Sequence, residues 1–338
     1  MAILVTGGAG YIGSHTVLTL LEQGNEVVVL DNLCNASREA IIRVEQLSGK
    51  PITFYQIDVR DAGQIRSIFS RHTISAVIHF AGLKSVSESL SKPLEYYDNN
   101  LNSTLIMLHE MRRAGVKKLI FSSSATVYGQ PEFIPLTENA RIGGTTNPYG
   151  TSKLMIEQIL QDCSQANPDL TIIILRYFNP VGAHPSGQIG EDPNGIPANL
   201  VPYITQVAVG KLEKLSVFGD DYPTKDGTGV RDYIHVMDVA EGHIKALESI
   251  DNHHGVAVYN LGTGIGYSVK EILHAFEEVS GQSIPYEIVP RRAGDIGECW
   301  SDPSLAKKQL GWQAKRSLND MVRDAWHWQV NNPQGFES

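Results

Sequence analysis

Positive charge, cysteine and long apolar runs are all scarce in this 338-residue chain, and each scarcity excludes something. Lys and Arg number 28 against 37 Asp and Glu, a formal net charge of −9. They are scattered rather than bunched, which argues against a nucleic-acid footprint or a polybasic membrane surface. An anionic ligand therefore needs a local site. The three cysteines, Cys34, Cys163 and Cys299, are odd in number and lack C-x-x-C spacing, which fits a reducing compartment better than a disulfide framework. No stretch reaches the roughly 18 apolar residues of a membrane span, and Met1 leads directly into AILVTGGAG without the features of a signal peptide. The chain reads as cytoplasmic. Its 11 histidines form no H-E-x-x-H or other pair at ligand spacing, so no metal is expected.

What is present is a regular alternation. The short apolar runs AILVT, EVVVLD, ITFYQID, AVIHFAG, KLIFSSS and TIIILRYF read as buried strands, and the segments between them carry helical spacing. That pattern predicts an α/β fold, a doubly wound parallel sheet covered on both faces, over residues 1–180. From Pro180 the texture changes: NPVGAHPSGQIGEDPNGIPANLVP is rich in Gly, Pro and Asn and reads as a long ordered loop over a site. Beyond it, helices are expected near 200–210, 236–249, 268–280 and 317–330, with short strands near 215–218, 257–261 and 284–289. Residues 181–338 thus form a second, smaller mixed α/β domain, with 231–262 expected to pack back on the first sheet. No flexible linker separates the two parts.

VTGGAGYIGSH follows the first strand and opens a helix, placing Gly7, Gly10 and Gly13 at the turn. Glycines there permit a tight turn, close approach of a pyrophosphate to backbone N–H groups, and close packing of helix on strand. A glycine triplet alone is weak evidence, but its strand-to-helix context is the required one. Asp31 ends the second strand, near the spacing of about 20 residues expected for a carboxylate that binds an adenosine ribose. A carboxylate there accepts from both ribose hydroxyls and repels a 2′-phosphate, favouring NAD over NADP. Asp58 and Val59, after the third strand, are placed to meet the adenine, although Asp58 alone would be read as a cap. Phe80, Ala81, Gly82 and Lys84, in FAGLK, lie where the ligand crevice should open.

In NPYGTSKL, Asn147 is a good N-cap and Pro148 suits the first turn, so Tyr149 and Lys153 share one helix face. A phenol ionises near ~10, so a tyrosine acting as a base near neutrality needs about 4 kcal/mol of help. A cation at ~4 Å under an effective dielectric of about 20 is worth that much, and Lys153 is placed to supply it. Ser124, in FSSSATVYG, falls at the carboxyl edge of the fifth strand, where open α/β sheets bind ligands. It can hydrogen-bond a substrate hydroxyl and relay a proton to Tyr149. Singly, these three residues also read as a helix-start aromatic, a solvated lysine and a strand-end turn.

Together GGAGYIG, FSSSATVYG and NPYGTSK resemble the extended short-chain dehydrogenase/reductase family. DNLCN, HFAGLKSVSESLSKPLEYYDNN, RYFNPVGAHPSG and GTGVRDYIHVMDVA are similar, more narrowly, to its members that act on UDP-hexoses. The resemblance runs nearly from end to end. It implies a Rossmann-type fold and retained NAD. It also implies inversion at C4 of the sugar through a transient 4-keto intermediate, exchanging UDP-galactose with UDP-glucose. Tyr149, helped by Ser124, would take the C4 hydroxyl proton, and Lys153 would hold the nicotinamide ribose. Tyr11, Ile12, Asn32, Asn35, Asn99, Tyr177 and Phe178 would join the cofactor contacts. Asn179, Asn199, Leu200, Ser216, Val217, Phe218 and Asp295 would meet the UDP-sugar.

Arg231 in GVRDYIH and Arg292 in PRRAGD suit the diphosphate, because a guanidinium pairs with phosphate oxygens bidentately. Either alone would also suit a surface ion pair. Cys299 occupies a wall where relatives can carry tyrosine, and a small residue there implies acceptance of 2-acetamido sugars. The alternative is a small buried apolar residue. The family also implies a homodimer through helices containing LNSTLIMLHEMRRAG and KLMIEQILQDC, which are more apolar than a solvent face requires.

Three rivals remain in view. A 4,6-dehydratase needs an extra acid and base after Ser124, where Ala125 and Thr126 stand. A uronate epimerase or decarboxylase needs a group for a C6 carboxylate, and the matching motifs offer none. A non-catalytic NAD sensor would have little use for Ser124, Tyr149 and Lys153 together.

Overall fold

The computed structural model describes residues 1–292 and 295–336. The first half runs β1 (Ala2–Thr6), α1 (Tyr11–Glu22), β2 (Val27–Asp31), α2 (Arg38–Ser48), β3 (Thr53–Gln56), α3 (Ala62–Arg71), β4 (Ile74–His79), α4 (Val86–Ser91), α5 (Pro93–Ala114), β5 (Lys118–Ser124), α6 (Pro148–Ala166) and β6 (Thr171–Tyr177). The second runs β7 (Asn179–Val181), α7 (Leu200–Ala208), β8 (Leu215–Phe218), β9 (Val230–His235), α8 (Val236–Ser249), β10 (Val256–Leu261), β11 (Gly266–Ser268), α9 (Val269–Ser280), β12 (Tyr286–Val289), β13 (Glu298–Cys299), α10 (Ser304–Leu310) and α11 (Leu318–Asn331).

The large sheet is parallel throughout, in the order β3-β2-β1-β4-β5-β6-β10. Its strands are apolar at nearly every position because both faces are covered. In β1, Ile3 and Val5 face a core built with α1 and α2, while Ala2 and Leu4 face one built with α3, α5 and α6. The same alternation separates Ile173 and Leu175 from Ile172 and Ile174 in β6. Fully burying such a side chain contributes about 1.5–3 kcal/mol. The expected burial of ITFYQID is not met, since Thr53–Gln56 is exposed or half-buried. β3 is the sheet's edge strand and has a neighbour on one side.

Of residues 231–262, α8 packs on α1 and β10 forms the far edge of the large sheet. β9 instead belongs to a small sheet with β7, β11 and β13. A third core, with Val201, Ile204, Ile272, Phe276, Met321 and Val322, lies among α7, α9 and α11. Two of those helices start on capping boxes, Ser268 with Glu271 and Ser317 with Asp320, each satisfying two end groups reciprocally. The small sheet is stitched to neighbouring loops by buried Asp232, which accepts from Thr263 N, Gly264 N and Ser301 Oγ. Among the described residues, no helix is long and apolar enough to cross a membrane.

Candidate active site

The strand order reverses between β1 and β4, and a cleft opens at the carboxyl ends of β1, β2 and β4. Gly7 turns the chain with φ +68, and a Cβ there would meet Ala81 N at 2.8 Å. At Gly13 a Cβ would stand 2.2 Å from Gly7 O, so α1 can approach the loop only with glycine at that position. Gly10 is the N-cap of α1 and offers no side-chain acceptor. The N–H groups of the first turn are therefore left for a ligand, and the helix dipole favours an anion. At the end of β2, Asp31 accepts from Ala9 N at 3.0 Å and Leu33 N at 2.9 Å, which tie it to the glycine loop. Burial raises the pKa of this carboxyl, and those backbone donors oppose the rise. A dinucleotide fits these residues: uncapped N–H groups for its diphosphate and a carboxylate one strand away for its ribose.

Beyond Asp31, Asn32 donates to Asp58 at 3.1 Å. Asp58 is held low, at about 2, chiefly by the Arg60 guanidinium, which reaches it at 2.9 and 3.0 Å. Tyr11, Ile12, Asn35, Val59, Phe80, Ala81, Gly82, Lys84, Asn99 and Tyr177 line the same cleft. Phe178 does not: its side chain is packed with Val127, Tyr128, Leu136, Ala140 and Cys299.

The reactive trio comes together as the helix-start reading requires. Asn147 accepts from Gly150 N at 2.8 Å, Pro148 begins α6, and Tyr149 and Lys153 both face the cleft. Ser124, at the end of β5, stands beside Tyr149, and its Oγ accepts from Thr126 N at 3.3 Å and Thr126 Oγ1 at 3.0 Å. All three are buried, at 7% exposure for Tyr149 and Ser124 and 5% for Lys153. Lys153 Nζ donates to Ser122 O at 2.8 Å and lies 4.8 Å from the centre of the Phe121 ring.

The electrostatics differ from the expectation that Lys153 depresses the phenol. Burial raises Tyr149 above its ordinary value, and the downward pull comes from Ser124. Burial also lowers Lys153 from 10.5 to about 8, opposed by the nearby Glu157. Desolvation disfavours phenolate and ammonium alike.

Beneath the trio lies a closed polar network. Arg176 pairs with Glu157 at 2.6 Å, Ser123 donates to Glu157 at 2.6 Å, and Arg176 also donates to Tyr128 Oη at 3.0 Å. On the other face of β5, Ser122 Oγ meets His243 at 2.8 Å. Ser122 and Ser123 thereby tie the strand to α8 and α6.

The residues expected at the UDP-sugar do not line that cleft and lie on β7, β8, β9, β13, the start of α7 and the segment between β12 and β13. Asp295 reaches Arg292 at 3.0 Å and Arg231 at 3.9 Å, bringing the two arginines to one carboxylate. The Arg292 guanidinium stands 4.6 Å from the Phe218 ring centre. Ser216 is half-buried on β8, whereas Val217 is buried in the third core. Asn179 is exposed on β7, Asn199 precedes α7 without a side-chain cap and donates from Nδ2 to Glu191 at 2.9 Å, and Leu200 is the first residue of that helix. Cys299 is buried opposite Arg231 in the β9–β13 pairing. Burial pushes its thiol up to about 11, with Arg231 pulling the other way.

Residue-by-residue reading missed Gly190, Glu191, Asp192, Pro193 and Phe336, all of which line the dinucleotide cleft. The Gly- and Pro-rich texture after Pro180 marked the segment but not which side chains turn inward. Nothing in the sequence around Phe336 marks it.

The family described as NAD dependent epimerase/dehydratase matches residues 3–262. The UDP-glucose 4-epimerase of Yersinia enterocolitica is 64% identical over 336 residues, covering 99% of each chain. That of Bacillus subtilis is 61% identical over 338 residues, covering 100% of this chain and 99% of the relative. The crystal structure of the Bifidobacterium longum UDP-glucose 4-epimerase, in complex with NAD+ and UDP, superposes with a TM-score of 0.97 at 57% identity, covering 99% of this chain and 100% of that one. The chain belongs to the NAD dependent epimerase/dehydratase family.

Proposed function

We propose that this protein is a UDP-glucose 4-epimerase that interconverts UDP-galactose and UDP-glucose with NAD retained through the cycle. The observation that carries the reading is the buried pair Tyr149 and Lys153, with Ser124 beside Tyr149, lining a cleft that also holds the glycine loop and Asp31. NAD, when bound, supplies a reversible hydride acceptor and a positive ring. The N-terminus of α1 holds the diphosphate, Asp31 the adenosine ribose, and Asn32, Asn35, Asp58 and Val59 the adenine end. Phe80, Lys84, Asn99, Tyr177 and the Phe178 backbone border the nicotinamide end.

Tyr149 Oη, beside Ser124, accepts the proton of the sugar C4 hydroxyl as C4 is oxidised and returns it to the same oxygen when C4 is reduced; inversion follows because the 4-keto sugar turns and regains hydride at C4 on its opposite face. Lys153, fixed on Ser122 O, holds the nicotinamide ribose. Arg231 and Arg292 grip the diphosphate bidentately. Asn179, Asn199, Leu200, Ser216 to Phe218 and Asp295 border the nucleotide and sugar. Such an arrangement grips the nucleotide firmly while leaving a hexose free to present either face. Incubating purified protein with UDP-galactose and no added cofactor should yield UDP-glucose. Dependence on external NAD with net NADH accumulation would instead indicate an ordinary dehydrogenase.

The finer substrate range rests on Cys299. Its small side chain packs beside Tyr128 and Phe178, next to the turn that follows Ser124. A cysteine there would leave more room for a 2-acetamido group than a tyrosine would, which extends the proposed reaction to UDP-GlcNAc and UDP-GalNAc. Cys299→Tyr should abolish turnover of UDP-GalNAc while sparing UDP-galactose; equally poor UDP-GalNAc turnover in both proteins would remove this extension.

The protein works as a cytoplasmic homodimer whose contact is formed by α5 and α6. Leu105 and Met155 are exposed on these paired helices, which supports a covered apolar face. Residues 1–180, together with α8 and β10, form the cofactor domain, and the remainder forms the substrate domain. Light scattering after size exclusion checks the assembly.

A further inference from the structure

Residues 182–199 join β7 to α7 without helix or strand, yet they are bound on two sides. Toward the cofactor half, Tyr11 Oη donates to Gly182 O at 2.7 Å, and Arg43 Nη1 to Gln188 O at 3.1 Å. Lys84 reaches Glu191 at 3.2 Å, and Asn194 Nδ2 donates to Cys34 O at 3.2 Å. Toward the C-terminus, Asn332 Nδ2 donates to Gly187 O at 2.8 Å, and Trp328 Nε1 to Glu191 O at 3.1 Å. Phe336 N donates to Asp192 Oδ2 at 2.8 Å. Gly190 lies so close to Trp328 that a Cβ would stand 2.4 Å from the indole. Between these two sets of ties, Gly190–Pro193 and Phe336 form one wall of the cleft whose other wall is the glycine loop.

Epimerisation makes escape of the cofactor costly in a way that simple oxidation does not. The electrons taken from C4 must return to the same sugar, so a cofactor lost midway leaves a 4-keto sugar with nothing to reduce it. A dinucleotide seated between these walls cannot leave past Glu191 unless the segment lifts. From this geometry we infer that residues 182–199 are a strap governing cofactor exchange, latched to the cofactor half by Glu191 on Lys84 and clasped from outside by Asn332 and Arg43. The inference rests on the NAD reading above. The latch joins unequal partners: the Glu191 side chain is 7% exposed and that of Lys84 47% exposed. Glu191 belongs to the wall, whereas Lys84 stands at the rim. Asn332 and Arg43 do not line the cleft. They act as positioning residues through the strap backbone.

The test follows exchange of bound cofactor for excess isotopically labelled NAD in the cofactor-loaded protein, sampled by rapid gel filtration. Asn332→Ala and Glu191→Gln should each exchange about tenfold faster than the unaltered protein, the scale expected for losing one or two hydrogen bonds. With saturating NAD, the kcat of Asn332→Ala should stay within about twofold of that of the unaltered protein, because the residue touches neither substrate nor cofactor. Arg43→Ala, on a different helix, should accelerate exchange in the same sense and covers the case that Asn332→Ala fails to fold. Exchange within about twofold of the unaltered protein in all folded variants, beyond the scatter expected for one lost contact, overturns the strap. An unaltered protein that binds no NAD would overturn the functional reading and the strap with it.

Discussion

The two groups of residues expected at the site are held differently. On the cofactor side, Ser124, Tyr149, Lys153 and Asp31 are almost wholly buried and sit at strand ends or on a capped helix. On the substrate side, Arg292 and Phe218 are exposed, Arg231 and Asp295 are half-buried, and they are held by pairing and stacking at the surface. Groups fixed by a close-packed sheet cannot move without disturbing the core, whereas groups held by exposed ion pairs can rearrange at small cost. Chemistry that takes hydride from one face of a sugar carbon and restores it to the other, while one base shuttles the hydroxyl proton, needs this contrast: a stationary base and a tolerant holder.

Each variant below either breaks that contrast or sharpens it. Tyr149→Phe should lower kcat about 1,000-fold or more while leaving NAD bound, because it removes the proton acceptor and almost no binding surface. Turnover and cofactor content of the purified variant decide this, and turnover within about tenfold would place the base elsewhere. Glu157→Ala leaves the Arg176 guanidinium buried without its carboxylate and should cost about 3–5 kcal/mol of stability, read as a lower urea midpoint. Arg292→Ala should raise KM for UDP-galactose about tenfold with kcat within about twofold, since the proposed diphosphate contact would be made equally in ground and transition states.

A smaller effect appears in pH dependence. Lys153 titrates at about 8 in the folded protein against an ordinary 10.5. Between those values the unfolded chain holds a proton that the folded chain has released, so this residue's contribution to stability rises with pH across the window. In cofactor-free protein, Lys153→Met should lack that rise. The difference in Tm between variant and unaltered protein should therefore narrow from pH 7 to 10. At the lower extreme, Asp221→Ala removes the partner of Arg291 from an exposed pair and should leave the urea midpoint unchanged within error. A clear loss there would show the substrate side to be more rigid than its exposure implies.

Legibility followed the range of the interactions. The start of α6 could be read directly, because Asn147, Pro148, Tyr149 and Lys153 act within two helical turns. The Gly13 approach to Gly7 was equally local, and the apolar alternation predicted the two-faced sheet. The small sheet was not foreseen, since β7, β11 and β13 are two or three residues long and gain their identity from pairing with β9. The acidity of Lys153 also eluded a pairwise estimate. Coulomb attraction between two residues can be judged from spacing, but loss of water depends on everything packed around them.

By itself, then, the sequence determined the parallel sheet, the phosphate loop and the presence of Tyr149 and Lys153 on one helix face. These follow from periodicity, capping and steric limits acting over a few residues. Tertiary structure alone decided that Glu191, Asp192 and Phe336 would close the dinucleotide cleft, that Phe178 would turn away from it, and that burial would override the lysine's charge. Each of those outcomes depends on atoms brought together from distant parts of the chain, and packing and desolvation exist only once they have met.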